Sequence, residues 1–176
     1  MTMRRLAFDG VRSMRRISLL AFVLACAPAL AYDANGVALG AHESEVKKKF
    51  PSIHCKELEW KSKAAERRCD DSQAVLGGTE VRITFYLKKD AVEAFDVRFD
   101  IKDAERLAGF LKSRYGVPVS EVRDTIESGG KAARQIYKVL WEKGKERAVL
   151  VAQMDKRRGT ITVSRGDFEE EIYRVR

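Results

Sequence analysis

The sequence predicts an α+β fold: two α-β meander units, each a helix followed by antiparallel strands, with the helices packed on one face of antiparallel sheet. Three observations carry this reading. Residues 42–50 and 102–115 place apolar side chains at helical spacing, and each stretch ends in an aromatic followed by a helix breaker, Phe50-Pro51 and Tyr115-Gly116. The runs after each stretch alternate apolar with polar, which is the period of a half-buried strand. Short turn signals such as Lys143-Gly144 and Arg158-Gly159 separate those runs, as in hairpins.

Taken in order, Tyr32 to Val37 reads as a short mobile start. Leu39-Gly40 leads into a helix from His42 to Phe50, with Val46 and Phe50 one turn apart on its buried side. Pro51 ends it, because proline has no N–H to continue the ladder. Residues 54–60 and 65–70 read as a ragged hairpin around Ser62, which sets Cys55 opposite Cys69. Gly77-Gly78 then breaks the chain.

The clearest strand is Glu80 to Leu87, with Val81, Ile83, Phe85 and Leu87 on one side. Arg82, Thr84 and Tyr86 lie on the other. The next strand, Ala91 to Phe99, sets Phe95, Val97 and Phe99 on one face. Joining the two apolar faces requires odd-numbered residues to meet odd, which predicts a three-residue loop, Lys88-Lys89-Asp90. A helix from Lys102 to Tyr115 follows, with Ala104, Leu107, Ala108, Leu111 and Tyr115 as its apolar stripe. Residues 124–132 read as a polar loop. Three further strands are expected at 134–142, 147–154 and 160–164, and residues 168–175 suit either a short helix or an edge strand.

The first 31 residues predict the compartment. Arg15-Arg16 precede an apolar run from Ile17 to Ala31 that closes on Ala29-Leu30-Ala31, a secretory signal peptide with cleavage between Ala31 and Tyr32. Met14 begins a complete signal by itself and is the expected true start. The organisation expected is therefore a signal peptide over 1–31 and a single periplasmic domain over 32–176. Val23-Leu24-Ala25-Cys26 loosely matches a lipoprotein box, so membrane attachment is expected only if Cys26 is lipidated.

Composition narrows the partners. The net charge of +8 falls to +4 without the signal segment, whose Arg4, Arg5, Arg12, Arg15 and Arg16 face only Asp9. That is an ordinary surface, with no nucleic-acid footprint. Two cysteines remain, Cys55 and Cys69, and an even pair in an exported domain reads as a disulfide. The competing reading is a metal site using His54 and Asp70, but no second ligand pair at metal spacing supports it.

No residues have catalytic spacing. His42 reads as a weak cap, and Gly77-Gly78 and Gly129-Gly130 lack the helix-opening context of a phosphate loop. Asp70-Asp71 and Glu169-Glu170-Glu171 read as solvated clusters. The remaining candidate is a protein-binding surface: Arg82, Tyr86 and Arg98 on the polar side of the first clear hairpin, with Trp60 near the bridged turn. Aromatic and arginine side chains are enriched at binding hot spots. No cofactor and no metal are expected.

Leu39-Gly40, Glu45-Val46, Phe50-Pro51, Cys55, Cys69 and the strand Val81-Arg82-Ile83-Thr84-Phe85-Tyr86-Leu87 together resemble the small exported proteins of the BamE and beta-lactamase-inhibitor-protein type. The resemblance spans residues 37–99. Ala41 and His42 depart from the Met and Ser/Thr usual at the helix start, and the second half lacks that motif. The resemblance implies a helix pair on antiparallel sheet and protein binding rather than catalysis. The function expected is a non-catalytic binding module for another exported or envelope protein. The alternative is a small exported enzyme or ligand-binding protein.

Overall fold

The computed structural model describes residues 32–128, 131–172 and 174. The expected signal segment, with Met14, Cys26 and Ala31, lies outside the described residues, as does Gly129-Gly130. The strands are β1 (Asp33–Ala34), β2 (Val37–Ala38), β3 (His54–Glu57), β4 (Arg67–Leu76), β5 (Thr79–Lys88), β6 (Ala91–Asp100), β7 (Ser120–Ser128), β8 (Lys131–Lys143), β9 (Glu146–Gln153) and β10 (Arg158–Arg165). The helices are α1 (Glu43–Lys49), α2 (Ala104–Tyr115, entered by a 3-10 turn Ile101–Asp103) and α3 (Phe168–Glu171).

The expected pair of α-β meander units does not form. Instead the chain is mostly β, built on one eight-stranded sheet in the order β3-β4-β5-β6-β10-β9-β8-β7, with β1 and β2 as a separate two-stranded sheet. Two features overturn the expectation. β6 and β10 zip together from Arg158↔Asp100 to Ser164↔Ala94, which fuses both sets of strands into one sheet. Residues 120–128, which overlap the first part of the polar loop expected over 124–132, form β7 at the sheet edge. An edge strand needs only one ladder, so β7 tolerates a polar sequence that conceals it. The helices do not share a face either. α1 and α2 pack into the main core, whereas Phe168 of α3 packs with Tyr86 on the opposite face.

The inner face is the core. Phe85, Phe95, Val97, Leu107, Leu111, Trp141, Leu150 and Val163 are all buried there in one cluster. The odd-to-odd pairing of the β5–β6 hairpin is present, with Ile83↔Val97 and Phe85↔Phe95. It is achieved differently from the expected three-residue loop. Lys89 and Asp90 form a two-residue turn with φ of 50° and 62°. The register then shifts between Tyr86↔Ala94 and Leu87↔Val92, leaving Glu93 as the extra residue of a bulge. A primed turn matches the strand twist, and the bulge restores the face parity.

The start of the domain is ordered rather than mobile. Tyr32, Ala34 and Val37 are buried, and β1 and β2 close around Asn35-Gly36, whose φ values are 51° and 87°. Asn-Gly is the strongest short hairpin signal, so this turn was readable in the sequence. The Tyr115 hydroxyl donates to the Asp33 carbonyl at 2.7 Å, and Arg114 pairs with the Asp33 carboxylate at 2.7 Å.

The β6–β10 seam depends on one glycine. Gly159 pairs with Phe99, and a Cβ at Gly159 would lie 2.3 Å from the Phe99 ring. Gly159→Ala is therefore expected to destabilise by about 1–3 kcal/mol, the usual cost of overpacking. Urea unfolding of the variant checks this, and an unchanged midpoint contradicts it.

Candidate functional site

The outer face of the sheet is built by the residues that alternate with the core. One row runs in register across six strands: Arg82, Arg98, Thr160, Val151, Lys138 and Val122. The neighbouring row runs Thr84, Asp96, Thr162, Val149, Leu140 and Ser120. Only part of this face is covered. α3 and the segment joining β3 to β4 close over Tyr86 and Ala94, burying Ala64, Ala65, Phe168 and Ile172 with them. α3 does not cover the rows over β8, β9 and β10 in the same way, and Ile136, Leu140, Val149 and Val151 are partly exposed there.

The four residues expected to form a binding surface fall into two places. Arg82 and Arg98 are cross-strand partners and both are exposed. With Arg157, Arg158, Glu80 and Asp100 they line a depression of about 390 Å³ at one end of the outer face. Tyr86 is not on an open surface: it is buried, and its ring lies 5.4 Å from that of Phe168. Trp60 is half-buried, and its indole N–H donates to the Ile172 carbonyl at 2.8 Å. Ser62 donates to the Glu171 carbonyl at 3.0 Å. Tyr86 and Trp60 therefore hold the C-terminal turn against the sheet.

Sequence reasoning missed the open rows. The signal was present in two runs, Val139-Leu140-Trp141 and Ala148-Val149-Leu150-Val151-Ala152, which are apolar without alternation. Such runs belong to strands with both faces shielded from water. Here the core shields one face, and half-exposed valines and a leucine line a second depression of about 430 Å³ on the other. Lys138, Arg147, Glu142 and Glu169 also border it, and Arg147 pairs with Glu142 at 3.1 Å.

Asp96 sits where the covered and open parts meet, beside a depression of about 260 Å³ lined with Tyr86, Thr162, Phe168, Glu169 and Ile172. Burial raises its carboxyl pKa above the ordinary range, and Glu169 adds to the rise. Hydrogen bonds from Thr162, at 2.8 Å, and Tyr86 act the other way, as does Arg98. The fold thus favours neutral Asp96. Its stabilising contribution is fully present below the ordinary aspartate value, about pH 4, and is lost as pH rises through the raised folded value. Asp96→Asn is expected to abolish this slope and to be more stable than the parent at neutral pH. Urea midpoints measured from acid to neutral pH check it, and parallel curves contradict it.

The other sequence candidates are structural. His42 caps α1, its Nδ1 accepting from the Ser44 N–H at 3.2 Å. Asp71 is buried rather than solvated: it accepts from Ser52 Oγ at 2.7 Å and from the Gln73 N–H at 2.8 Å, which pins a bulge in β4. Cys55 and Cys69 are directly opposed in the β3–β4 ladder and form a disulfide with Cα atoms 3.9 Å apart. Glu43 brings a carboxylate oxygen within 4.8 Å of both sulfurs. The sulfurs are joined to each other, and Glu43 is engaged by Lys47 at 2.6 Å and Arg67 at 2.7 Å, so this group is a bridged, ion-paired packing point.

Comparison with protein-family models, with curated proteins and with solved structures finds no match. Among the described residues, no helix is long and apolar enough to cross a membrane.

Proposed function

We propose that this protein is a non-catalytic exported binding module, an envelope accessory protein or an inhibitor, that engages another exported protein through the open half of its outer sheet face. The observation that carries the reading is the partly exposed apolar stripe of Ile136, Leu140, Val149 and Val151. A contiguous exposed apolar patch with a polar rim marks an interaction surface. The Cys55–Cys69 disulfide supports an oxidising compartment, as does the signal-like segment before Tyr32. The resemblance of residues 37–99 to exported binding proteins agrees with this role.

The test is site-specific photo-crosslinking in intact cells. A crosslinker at Val151 is expected to trap another exported protein, whereas one at the exposed Glu45 of α1 is not. Equal trapping at both positions, or none at Val151, removes the proposed surface. The desolvated Asp96 beside its depression is the one observation that favours the second reading, an exported ligand binder or enzyme. Under that reading Asp96→Asn abolishes ligand retention while crosslinking at Val151 is unaffected.

A further inference from the structure

We infer that the partner presents an acidic amphipathic helix: its apolar side covers Leu140, Val149 and Val151, and its carboxylates reach Arg82 and Arg98. This rests on the binding role proposed above and specifies the chemistry of the partner.

The first argument is charge. Arg82, Arg98, Arg158 and Lys138 have no carboxylate within 4.0 Å among the described residues, and all four are exposed. Arg67, Arg114, Arg123 and Arg165 form ion pairs away from this face, and Arg147 on it pairs with Glu142. These four basic groups share the face that also carries the partly exposed apolar stripe. Guanidinium groups bind carboxylates in a fork geometry that a neutral partner leaves unused. Glu80 and Asp100 border the same depression, but Asp100 is occupied in capping the 3-10 turn through the Lys102 N–H at 3.1 Å.

The second argument is spacing. Arg98, Thr160 and Val151 lie in register on successive strands, β6, β10 and β9. Adjacent strands are about 4.8 Å apart, so Val151 is about 10 Å from Arg98 and about 14 Å from Arg82 along the row. A helix crossing the strands rises about 1.5 Å per residue, so its carboxylates fall about seven to nine residues from its apolar anchors. The stripe spans β8 and β9 in two rows, a footprint matching one helix about 10 Å wide. α3, through Glu169, borders one side of the depression that would seat it.

A second copy of this chain does not fit. A two-fold contact sets each patch against itself, which brings the arginine and lysine rims together. An anionic membrane satisfies the charge but not the recessed shape, and it is one of the outcomes of the test.

The probe is a fluorescent helical peptide with leucines along one side and glutamates about two turns away, titrated into the disulfide-bonded protein and followed by anisotropy. Binding is expected, with a loss of about tenfold or more for Arg82→Glu/Arg98→Glu, and likewise for the same peptide with lysines in place of glutamates. Both arginines are exposed, so circular dichroism of the double variant is expected to match the parent. Val151→Asp tests the apolar anchor in the same assay. Absence of binding below about 1 mM overturns the inference, as does equal binding of the lysine peptide or an unaffected double variant. Co-sedimentation with phosphatidylglycerol vesicles in preference to the peptide also overturns it, in favour of a membrane. If Val151 crosslinks an exported protein while the peptide fails, the partner chemistry falls and the binding role stands. If crosslinking fails, the binding role falls first.

Discussion

Phe95→Ala is expected to lower stability by about 3–5 kcal/mol, as for a buried aromatic truncated in a close-packed core. Phe95 is 1% exposed. Its ring lies 5.5 Å from Phe85, which in turn lies 5.2 Å from Phe50. These contacts tie β6 to β5 and to the end of α1, and Leu107 and Leu111 of α2 belong to the same buried cluster. Truncation leaves a cavity whose walls belong to several elements, so no single one relaxes to fill it. The loss corresponds to a fall of about 10–15 °C in Tm for a domain of this size. Urea and thermal unfolding check it. A loss under about 1 kcal/mol would mean that the site collapses freely and that the inner face is not the core.

Reducing the Cys55–Cys69 bond is expected to cost about 3 kcal/mol, mainly by freeing the unfolded chain from a closed loop. The two cysteines are 14 residues apart in sequence. The effect is expected to be uneven within the fold. β3 is a four-residue edge strand paired only to β4, so little else holds it once the bond is open. The segment after β3 carries Trp60 and Ser62, whose hydrogen bonds hold the carbonyls of Ile172 and Glu171. Reduction is thus expected to loosen α3 on the opposite face as well. Hydrogen exchange with and without reductant checks this: protection is expected to fall in residues 54–66 and around Phe168 before it falls in β5 and β6. Identical urea midpoints for the oxidised and reduced protein contradict the prediction.

The outer face separates the four residues that the sequence suggested as one surface. Arg82 and Arg98 are side by side on the open face, as strand alternation from a known core face requires. Tyr86 follows the same alternation and points the same way, yet it is covered, because Phe168 lies over it from 82 positions later in the chain. Alternation tells which side of a sheet a residue occupies. It carries no information about what arrives from elsewhere to cover that side.

Local chemistry in the sequence was enough to determine the Cys55–Cys69 pairing, the face parity of the β5–β6 hairpin and the span of α2 with its stop at Gly116. Each of these depends on residues close in sequence: a hairpin turn, an alternating pair of strands, a helical stripe and a glycine at φ 87°. Only the tertiary structure decided that β6 pairs with β10, that α3 leaves the face occupied by α1 and α2, and that β8 to β10 keep an apolar outer face open. Those outcomes depend on contacts between residues about 60 or more apart, such as Val97 with Ile161, where backbone ladders are generic and side-chain fit selects the partner. Gly159 under the Phe99 ring is that selection at one seam: a glycine that marks a turn in the sequence becomes, in the fold, the space that lets the two halves join.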